Sequence, residues 1–249
     1  MNANPDQWSE FDLAGHPCEM FEPANPRADG LTLIYLHGVR LQRLRDKPAF
    51  NAAFAEHGLR VLCPQTGRCW WTDRICPDFD LAITPERYLV DRVLPWIAER
   101  WGVGPPKIGL FGTSMGGQGA LRFGFKHPRF FPVVVGIAPA IDYQIRVREG
   151  DPILGAMYRD AEQARQDTAT LHVHPLNWPR GLWFSCDPTD VRWHESCERL
   201  REKLTALGIP HQCDLATTGG GHGFEYYERM APAAISFLVE RLQAELRRV

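Results

Sequence analysis

The stretch KIGLFGTSMGGQGAL, residues Lys107–Leu121, joins a short apolar run, a glycine-rich turn and the beginning of a helical pattern. The turn, Gly112–Gly116 (GTSMG), is a G-x-S-x-G pattern placed between a predicted strand and a predicted helix. Such a turn is so tight that a side chain two positions before or after the serine would collide with backbone, and glycine has no Cβ to collide. The stretch therefore predicts a nucleophilic Ser114 at the carboxyl end of a strand, where helix N-terminal amides stabilise negative charge.

Apolar runs and helical patterns alternate along the rest of the chain. This alternation predicts an α/β fold with a mostly parallel central sheet and helices on both faces. The 249 residues fit a single domain, 1–249. The predicted strands are Leu31–Leu36, Leu59–Cys63, Lys107–Phe111, Val133–Ala138, Gly181–Cys186 and His211–Thr217, and the last helix runs from about Phe224 to Arg247.

Residues 141–179 interrupt this alternation. Acidic, basic, Gly and Pro residues mix there, with a short helix predicted around Pro152–Arg165 and no strand. An insertion between consecutive strands of the sheet is where a small cap over an active site would lie. We therefore expect residues 141–179 to form a cap segment.

Composition and charge exclude several classes of partner. With 44% hydrophobic residues and a formal charge of -2, the chain is typical of a globular domain and has no electrostatic basis for binding nucleic acid or an anionic membrane. The basic run Arg40–Lys47 is interrupted by acidic and apolar residues, and we expect it to be a solvated helix face. No apolar stretch approaches the roughly 20 residues of a membrane helix.

Seven cysteines form no C-x-x-C pair, and the first residues lack the pattern of a secretory signal. Both observations predict a reduced, cytoplasmic protein.

A serine hydroxyl needs a base, and His222 in Gly219–Gly223 (GGGHG) is the candidate. It follows the last predicted strand, and histidine comes last in the chain order of serine, acid and histidine on this type of sheet. Two acids follow strand Gly181–Cys186, namely Asp187 and Asp190. We favour Asp190, which lies just before a helix, and retain Asp187 as the alternative, since a carboxylate before proline often serves a turn.

Two backbone amides are needed to stabilise an oxyanion. The amide of Met115 directly follows the serine, and the amide of Val39 lies in the loop after strand Leu31–Leu36. His37 precedes the serine in the chain and is expected to brace this loop, with substrate contact as a tentative role. The adjacent Trp70 and Trp71 either pack in the core or form a wall of the substrate pocket, to which we tentatively assign them.

Several of these segments together resemble the α/β-hydrolase superfamily, specifically its "putative esterase" group, which includes esterase D (S-formylglutathione hydrolase), feruloyl esterases and mycolyltransferases. The resemblance implies an α/β-hydrolase fold and a Ser114–Asp190–His222 triad, because the acid of that group occupies a G-x-x-D-like position. Asp187 stands where that glycine would be, so it remains the alternative acid. The segments that carry the resemblance are Tyr35–Gly38 (YLHG), Glu86–Ile97, Gly112–Leu121, His127–Pro132 (HPRFFP), Asp187–Asp190 and Gly219–Tyr227 (GGGHGFEYY).

The predicted function is that of a serine hydrolase acting on a small carboxylic ester or thioester through an acyl-enzyme. The alternatives are an acyltransferase with the same triad and a non-catalytic binding protein on the same fold. This chemistry requires no metal and no organic cofactor. The expected partner is a small-molecule substrate, with neither nucleic acid nor membrane, and the tryptophans leave a homodimer open.

Overall fold

In a computed structural model, which describes residues 7–248, the six strands predicted from apolar runs and two N-terminal strands form one eight-stranded sheet. The strand order is β1-β2-β4-β3-β5-β6-β7-β8. The two N-terminal strands are antiparallel to their neighbours, and the remaining pairs are parallel. The strands are β1 (Gln7–Leu13), β2 (His16–Glu22), β3 (Thr32–Leu36), β4 (Arg60–Pro64), β5 (Ile108–Thr113), β6 (Val133–Ile137), β7 (Gly181–Ser185) and β8 (Gln212–Asp214).

Helices cover both faces of this sheet. Those in the described part of the chain are α1 (Pro48–Glu56), α2 (Pro85–Tyr88), α3 (Leu94–Trp101), α4 (Met115–Lys126), α5 (Gln144–Arg148), α6 (Pro152–Met157), α7 (Ala161–Gln166), α8 (His194–Ala206) and α9 (Phe224–Leu246). A π-helical turn, Leu89–Val93, joins α2 to α3, and a 3-10 turn, Ala169–His172, follows α7. Within residues 7–248 no helix has the length and apolar character to traverse a lipid bilayer.

The central strands are buried on both faces, which explains why they are continuous apolar runs rather than alternating ones. Ile34 and Leu36 of β3 belong to the core on one face, together with Leu121 of α4. Leu33 of the same strand points to the opposite core, together with Leu238 of α9. The predicted α/β class and mostly parallel sheet are thus confirmed.

Two features at the edges of the sheet differ from the prediction. The hairpin of β1 and β2 was not predicted, because its edge strand QWSEFDL mixes polar and apolar residues without a buried run. The last strand was predicted over His211–Thr217, but β8 has only three residues. The Asp214 carboxylate accepts hydrogen bonds from the amides of Ala216 (3.1 Å) and Thr217 (2.9 Å), and these bonds turn the chain away from the sheet.

The basic run Arg40–Lys47 is a turn and a loop, so the prediction of a helix face is wrong. The Leu41 amide donates to the Gly38 carbonyl at 3.0 Å, which closes a turn directly after β3. Leu41 itself adopts a φ of 54°, outside the helical region. The run therefore begins as part of the loop beside the end of β3.

Residues 141–179 lie between β6 and β7 and contain α5, α6, α7 and the 3-10 turn, and their role as a cap stays a prediction. The single helix predicted at 152–165 is two helices, because Asp160 caps a new one by accepting from the Gln163 amide at 2.8 Å. The segment is joined to α4, where the Gln118 side chain accepts from the Ala169 amide at 2.9 Å.

A buried charge cluster also joins this segment to α4. The Arg122 side chain is 1% exposed and lies 2.5 Å from both Glu86 and Asp167 carboxylate oxygens. Glu86 also accepts from Lys126 at 2.7 Å and from His127 at 2.8 Å. Burial alone would raise the pKa of Glu86, but its hydrogen bonds and the Arg122 charge outweigh burial and lower it to about 2.

We predict that the protein loses stability in acid because of Glu86. The pKa of the Glu86 carboxyl group falls from 4.5 to about 2 on folding, so the contribution of Glu86 to the free energy of unfolding is complete above pH 4.5 and is lost as pH falls towards 2. Glu86→Gln should cost about 3–5 kcal/mol at pH 7, because it removes one of the two carboxylates that neutralise the buried Arg122 and the carboxylate partner of Lys126, and the cost should shrink with falling pH. Urea unfolding from pH 7 to pH 3 measures both effects.

Glu162→Gln is the matched control, because the Glu162 side chain is 61% exposed in its pair with Arg165 and should matter little. An equal difference between wild type and Glu86→Gln at pH 7 and pH 3 would contradict the prediction.

Candidate active site

Ser114 lies on the sharp turn between β5 and α4. Its backbone has a φ of 56° and a ψ of -118°, a strained conformation for a residue with a side chain. A Cβ on Gly116 would lie 1.8 Å from the Leu36 carbonyl oxygen, and one on Gly112 would lie 2.3 Å from the Gly116 backbone. Only glycine lets helix α4 begin this close to β3, so the steric reason given for the G-x-S-x-G pattern holds in the structure.

A chain of hydrogen bonds connects Ser114 to two groups more than 70 residues further along the sequence. His222 Nε2 lies 2.8 Å from Ser114 Oγ, and His222 Nδ1 lies 2.6 Å from Asp190 Oδ2. Because a carboxylate only accepts, Nδ1–H donates to Asp190 and the Nε2 lone pair accepts from the serine hydroxyl. This is the arrangement in which imidazole can remove the serine proton.

The structure separates the two candidate acids by what they contact. Asp187 accepts from the Thr189 amide (2.7 Å) and from the amides of Gly219 (2.6 Å) and Gly221 (2.9 Å). Burial would raise the pKa of Asp187, but these bonds lower it to about 2. The Asp187 carboxylate therefore fastens the loop that carries His222, whereas Asp190 contacts the imidazole itself.

His37 lies behind the loop that follows β3. Its Nδ1 donates to the Gly38 carbonyl at 3.0 Å, and its Nε2 accepts from the Thr66 amide at 3.1 Å. Burial lowers the pKa of His37 to about 4, so the ring is neutral at physiological pH and can keep that acceptor. The Trp71 indole donates to the His37 carbonyl at 3.1 Å, which adds a second brace to the same loop.

The tentative assignment of His37, Trp70 and Trp71 to substrate contact does not agree with their burial. Trp70 is 1% exposed and Trp71 and His37 are 0% exposed, so all three belong to the core. The Trp70 ring packs on Tyr143 at 4.9 Å between centroids, and its amide donates to the Met115 thioether at 3.3 Å. These three side chains pack behind the site, and their burial leaves no surface for contact with a substrate.

A small cavity of about 40 Å³ opens beside Ser114. Among the residues that the structure describes, none from the 141–179 segment lines it. The sequence did not identify most of the residues that line this cavity. Two of them, Phe224 and Tyr227, are aromatic residues that closely follow the histidine loop, Gly219–Gly223, and this position was the signal available in the sequence. The lining residues are Gly38, Val39, Arg40, Gln42, Thr113, Ser114, His222, Gly223, Phe224 and Tyr227.

Tyr227 is the wall residue whose ring contacts the imidazole of His222. Its ring meets the His222 ring edge-on, with centroids 5.7 Å apart and planes at 88°. Burial raises the pKa of the Tyr227 phenol, so it stays protonated. The contact limits the imidazole to the plane in which it reaches both Ser114 and Asp190.

Val39 lies in the loop after β3 and lines the cavity, and Met115, which directly follows Ser114, is the first residue of α4. Within residues 7–248 neither backbone amide donates a hydrogen bond to a protein acceptor. Both donors are therefore available to an atom bound next to Ser114. Their role in an oxyanion hole stays a prediction.

The sheet order, the strand–turn–helix at Ser114 and the histidine loop before the last helix define the α/β-hydrolase fold. A sequence profile described as putative esterase matches residues 70–235, well over half of the chain. The chain belongs to this esterase family. No curated protein sequence matches it.

Solved structures with the same fold cover nearly the whole chain. The Staphylococcus aureus fluorophosphonate-binding serine hydrolase F has a TM-score of 0.76 at 15% identity, over 95% of this chain and 99% of its own. A ferulic acid esterase has a TM-score of 0.74 at 16% identity, over 96% and 100%. An S-formylglutathione hydrolase from Agrobacterium tumefaciens has a TM-score of 0.73 at 16% identity, over 95% and 94%. At such identities the likeness establishes the fold.

The elbow predicts a large effect of one methyl group. Gly116→Ala places a Cβ 1.8 Å from a backbone oxygen of β3, so α4 or β3 must move. We expect a loss of about 3 kcal/mol or more in the free energy of unfolding. Urea denaturation followed by tryptophan fluorescence measures it.

Gly155→Ala is the control, because Gly155 lies in α6 with no atom within 4 Å of an added Cβ. That variant should gain about 0.5–1 kcal/mol from helix propensity. Equal stabilities of the two variants would show that the elbow accepts a side chain at position 116.

Proposed function

We propose that this protein is a serine hydrolase that cleaves small carboxylic esters or thioesters through an acyl-enzyme. The observation that carries the proposal is the chain of contacts of 2.8 Å and 2.6 Å that links Ser114, His222 and Asp190 at the elbow. Membership of the esterase family supports the same class of reaction. The residue roles below are part of the proposal.

The proposed reaction begins with proton transfer from Ser114 Oγ to His222 Nε2 as the oxygen attacks the substrate carbonyl. Asp190 holds the Nδ1–H tautomer and stabilises the imidazolium that forms. Negative charge develops on the carbonyl oxygen, which the free amides of Val39 and Met115 stabilise. His222 then gives its proton to the leaving alcohol or thiol, and the acyl group stays on Ser114.

Water completes the cycle. His222 takes a proton from the water molecule, whose oxygen attacks the acyl carbon, and the acid product leaves as Ser114 recovers its proton from His222. The strained φ of 56° at Ser114 supports this role, because it keeps Oγ outside the helix and directed towards the imidazole.

The size of the cavity favours short acyl groups. A volume of about 40 Å³ is small beside the roughly 300–1,000 Å³ that is usual for ligand pockets. This size favours a formyl or acetyl group over a feruloyl group. Among the structural neighbours, the S-formylglutathione hydrolase is named for the smaller acyl group and the ferulic acid esterase for the larger. We therefore propose formyl or acetyl esters and thioesters as substrates.

Ser114→Ala is the direct test of the nucleophile. It removes the attacking oxygen while Ala, like Ser, has a small side chain, so the fold should persist. We expect kcat for 4-nitrophenyl acetate to fall by roughly 10⁴-fold or more, and covalent labelling by a fluorophosphonate to disappear. Absorbance of 4-nitrophenolate and mass spectrometry of the labelled protein measure the two effects.

Ser9→Ala provides the control, because Ser9 is exposed on the edge strand β1, and it should retain both activity and labelling. Labelling that persists in Ser114→Ala would refute the assignment of the nucleophile.

The two acids are distinguished by a pair of asparagine variants. Asp190→Asn should lower kcat by roughly 10³–10⁴-fold with the fold intact, because the imidazole loses the partner that sets its tautomer. Asp187→Asn should mainly lower Tm, by about 2–4 °C per kcal/mol lost, because one oxygen that accepts backbone amides becomes a donor. Steady-state kinetics and thermal unfolding monitored by circular dichroism separate the outcomes. A larger loss of kcat in Asp187→Asn than in Asp190→Asn would reverse the assignment.

A further inference from the structure

The loop from Arg40 to Lys47 carries four basic side chains, and the structure divides them into two pairs. Arg43 lies 3.0 Å from Glu10 and 3.2 Å from Glu19, and Arg45 lies 2.8 Å from Glu19. These two charges are neutralised by strands β1 and β2. Arg40 and Lys47 form no ion pair with any residue in the range 7–248.

Arg40 is held next to the reaction centre by the backbone. It occupies the turn closed by the bond from the Leu41 amide to the Gly38 carbonyl, 3.0 Å long, one residue after the proposed oxyanion donor Val39. Its side chain is exposed and lines the same cavity as Ser114, together with Gln42. A guanidinium at this position lies beside any group that projects from the mouth of the cavity.

Lys47 adds a second positive charge to the rim. Its ammonium lies 4.4 Å from the centroid of the Phe224 ring, and Phe224 lines the cavity. Lys47 is half-buried, and a cation over an aromatic face gains about 0.5–1 kcal/mol, which holds the side chain near that wall without neutralising its charge. The rim therefore presents two cations that have no ion-pair partner within residues 7–248.

Acidic side chains do not compensate these charges at the mouth. Among the described residues that line the cavity, none is acidic. Asp190 lies behind His222 with a side-chain exposure of 2%. Glu225, in the first turn of α9, is directed at the histidine loop, since a Cβ on Gly220 would lie 2.6 Å from its carboxylate oxygen. In a chain of formal charge -2, this mouth is a local positive field.

We propose that the substrate carries an anionic group, a carboxylate or a phosphate, in its leaving group, and that Arg40 binds this group with assistance from Lys47. The inference rests on the proposed esterase function. We assign the anion to the leaving group because Ser114, which would carry the acyl group, is buried, whereas Arg40 is an exposed residue of the same cavity lining. Arginine suits this role because its planar fork binds either oxyanion with two parallel hydrogen bonds.

Aryl acetates with one acyl group and different para substituents test the proposal. The probes are 4-acetoxybenzoate, 4-acetoxyphenyl phosphate and the neutral 4-acetoxybenzamide. The readout is the ratio of kcat/KM for each anionic ester to kcat/KM for the neutral one, compared between wild type and variant. Intrinsic differences in reactivity between the esters and differences in active fraction between the proteins both cancel in this comparison.

Arg40→Gln should lower the ratio by about five- to tenfold, which is the range for a partly exposed charged hydrogen bond. Arg40→Lys should restore part of the loss, because it keeps the charge but not the fork. Lys47→Gln should lower the ratio by about twofold. Raising the salt concentration should lower the wild-type ratio as well, since exposed charges are screened.

Arg129→Gln is the matched control. Arg129 is exposed, has no ion-pair partner in residues 7–248 and precedes β6 at the amino end of the sheet, while Ser114 lies at the carboxyl end. It removes the same charge and should keep the wild-type ratio. A ratio that falls equally in Arg129→Gln and Arg40→Gln would overturn the proposal, since the effect would then be one of net charge.

The remaining outcomes separate this inference from the function on which it rests. Absence of turnover for all three acetates would refute the esterase function itself. Turnover of the neutral ester with an unchanged ratio in Arg40→Gln would refute only the anion site. A fall confined to 4-acetoxyphenyl phosphate supports a phosphate group, and a fall confined to 4-acetoxybenzoate supports a carboxylate.

Discussion

The close approach of helix α4 to strand β3 is the constraint on which the rest of the site depends. At Gly116 the helix backbone lies so near the Leu36 carbonyl that a Cβ would be 1.8 Å from its oxygen. This approach brings the first turn of α4, directly after Ser114, against the end of β3 and the start of the loop that follows it. In the proposed mechanism, the same contact sets the positions of the Val39 and Met115 amides that stabilise negative charge.

The histidine loop meets this elbow through two carboxylates with different tasks. Asp187 holds the amides of Gly219 and Gly221, which fixes the path of the loop, and Asp190 holds the Nδ1 side of His222. The two acids are only three residues apart after β7, so a small change in the β7 end moves both. Asp187 stands where the related G-x-x-D-like pattern has glycine, and in this chain its carboxylate accepts hydrogen bonds from the amides of the loop that carries His222.

Local pattern was sufficient for the parallel strands, the elbow and the order of serine, acid and histidine. These features depend on buried apolar runs and on steric demands of one turn, and both leave a direct mark in the sequence. The preference for Asp190 also came from local position, and the contact with His222 agrees with it. The β1–β2 hairpin left no such mark, since an edge strand needs no continuous apolar face.

Long-range packing decided the features that the sequence did not show. Trp70 and Trp71 look like pocket residues because large aromatics often line ligand sites, but α4, the His37 loop and Tyr143 enclose them. The basic run Arg40–Lys47 is a second feature that the local sequence does not determine. Its residues are alike in sequence, yet Glu10 and Glu19, more than twenty residues away along the chain, neutralise Arg43 and Arg45. Within residues 7–248 the other two cations have no ion-pair partner, so the run divides into a paired and an unpaired set of cations only when β1 and β2 are in place.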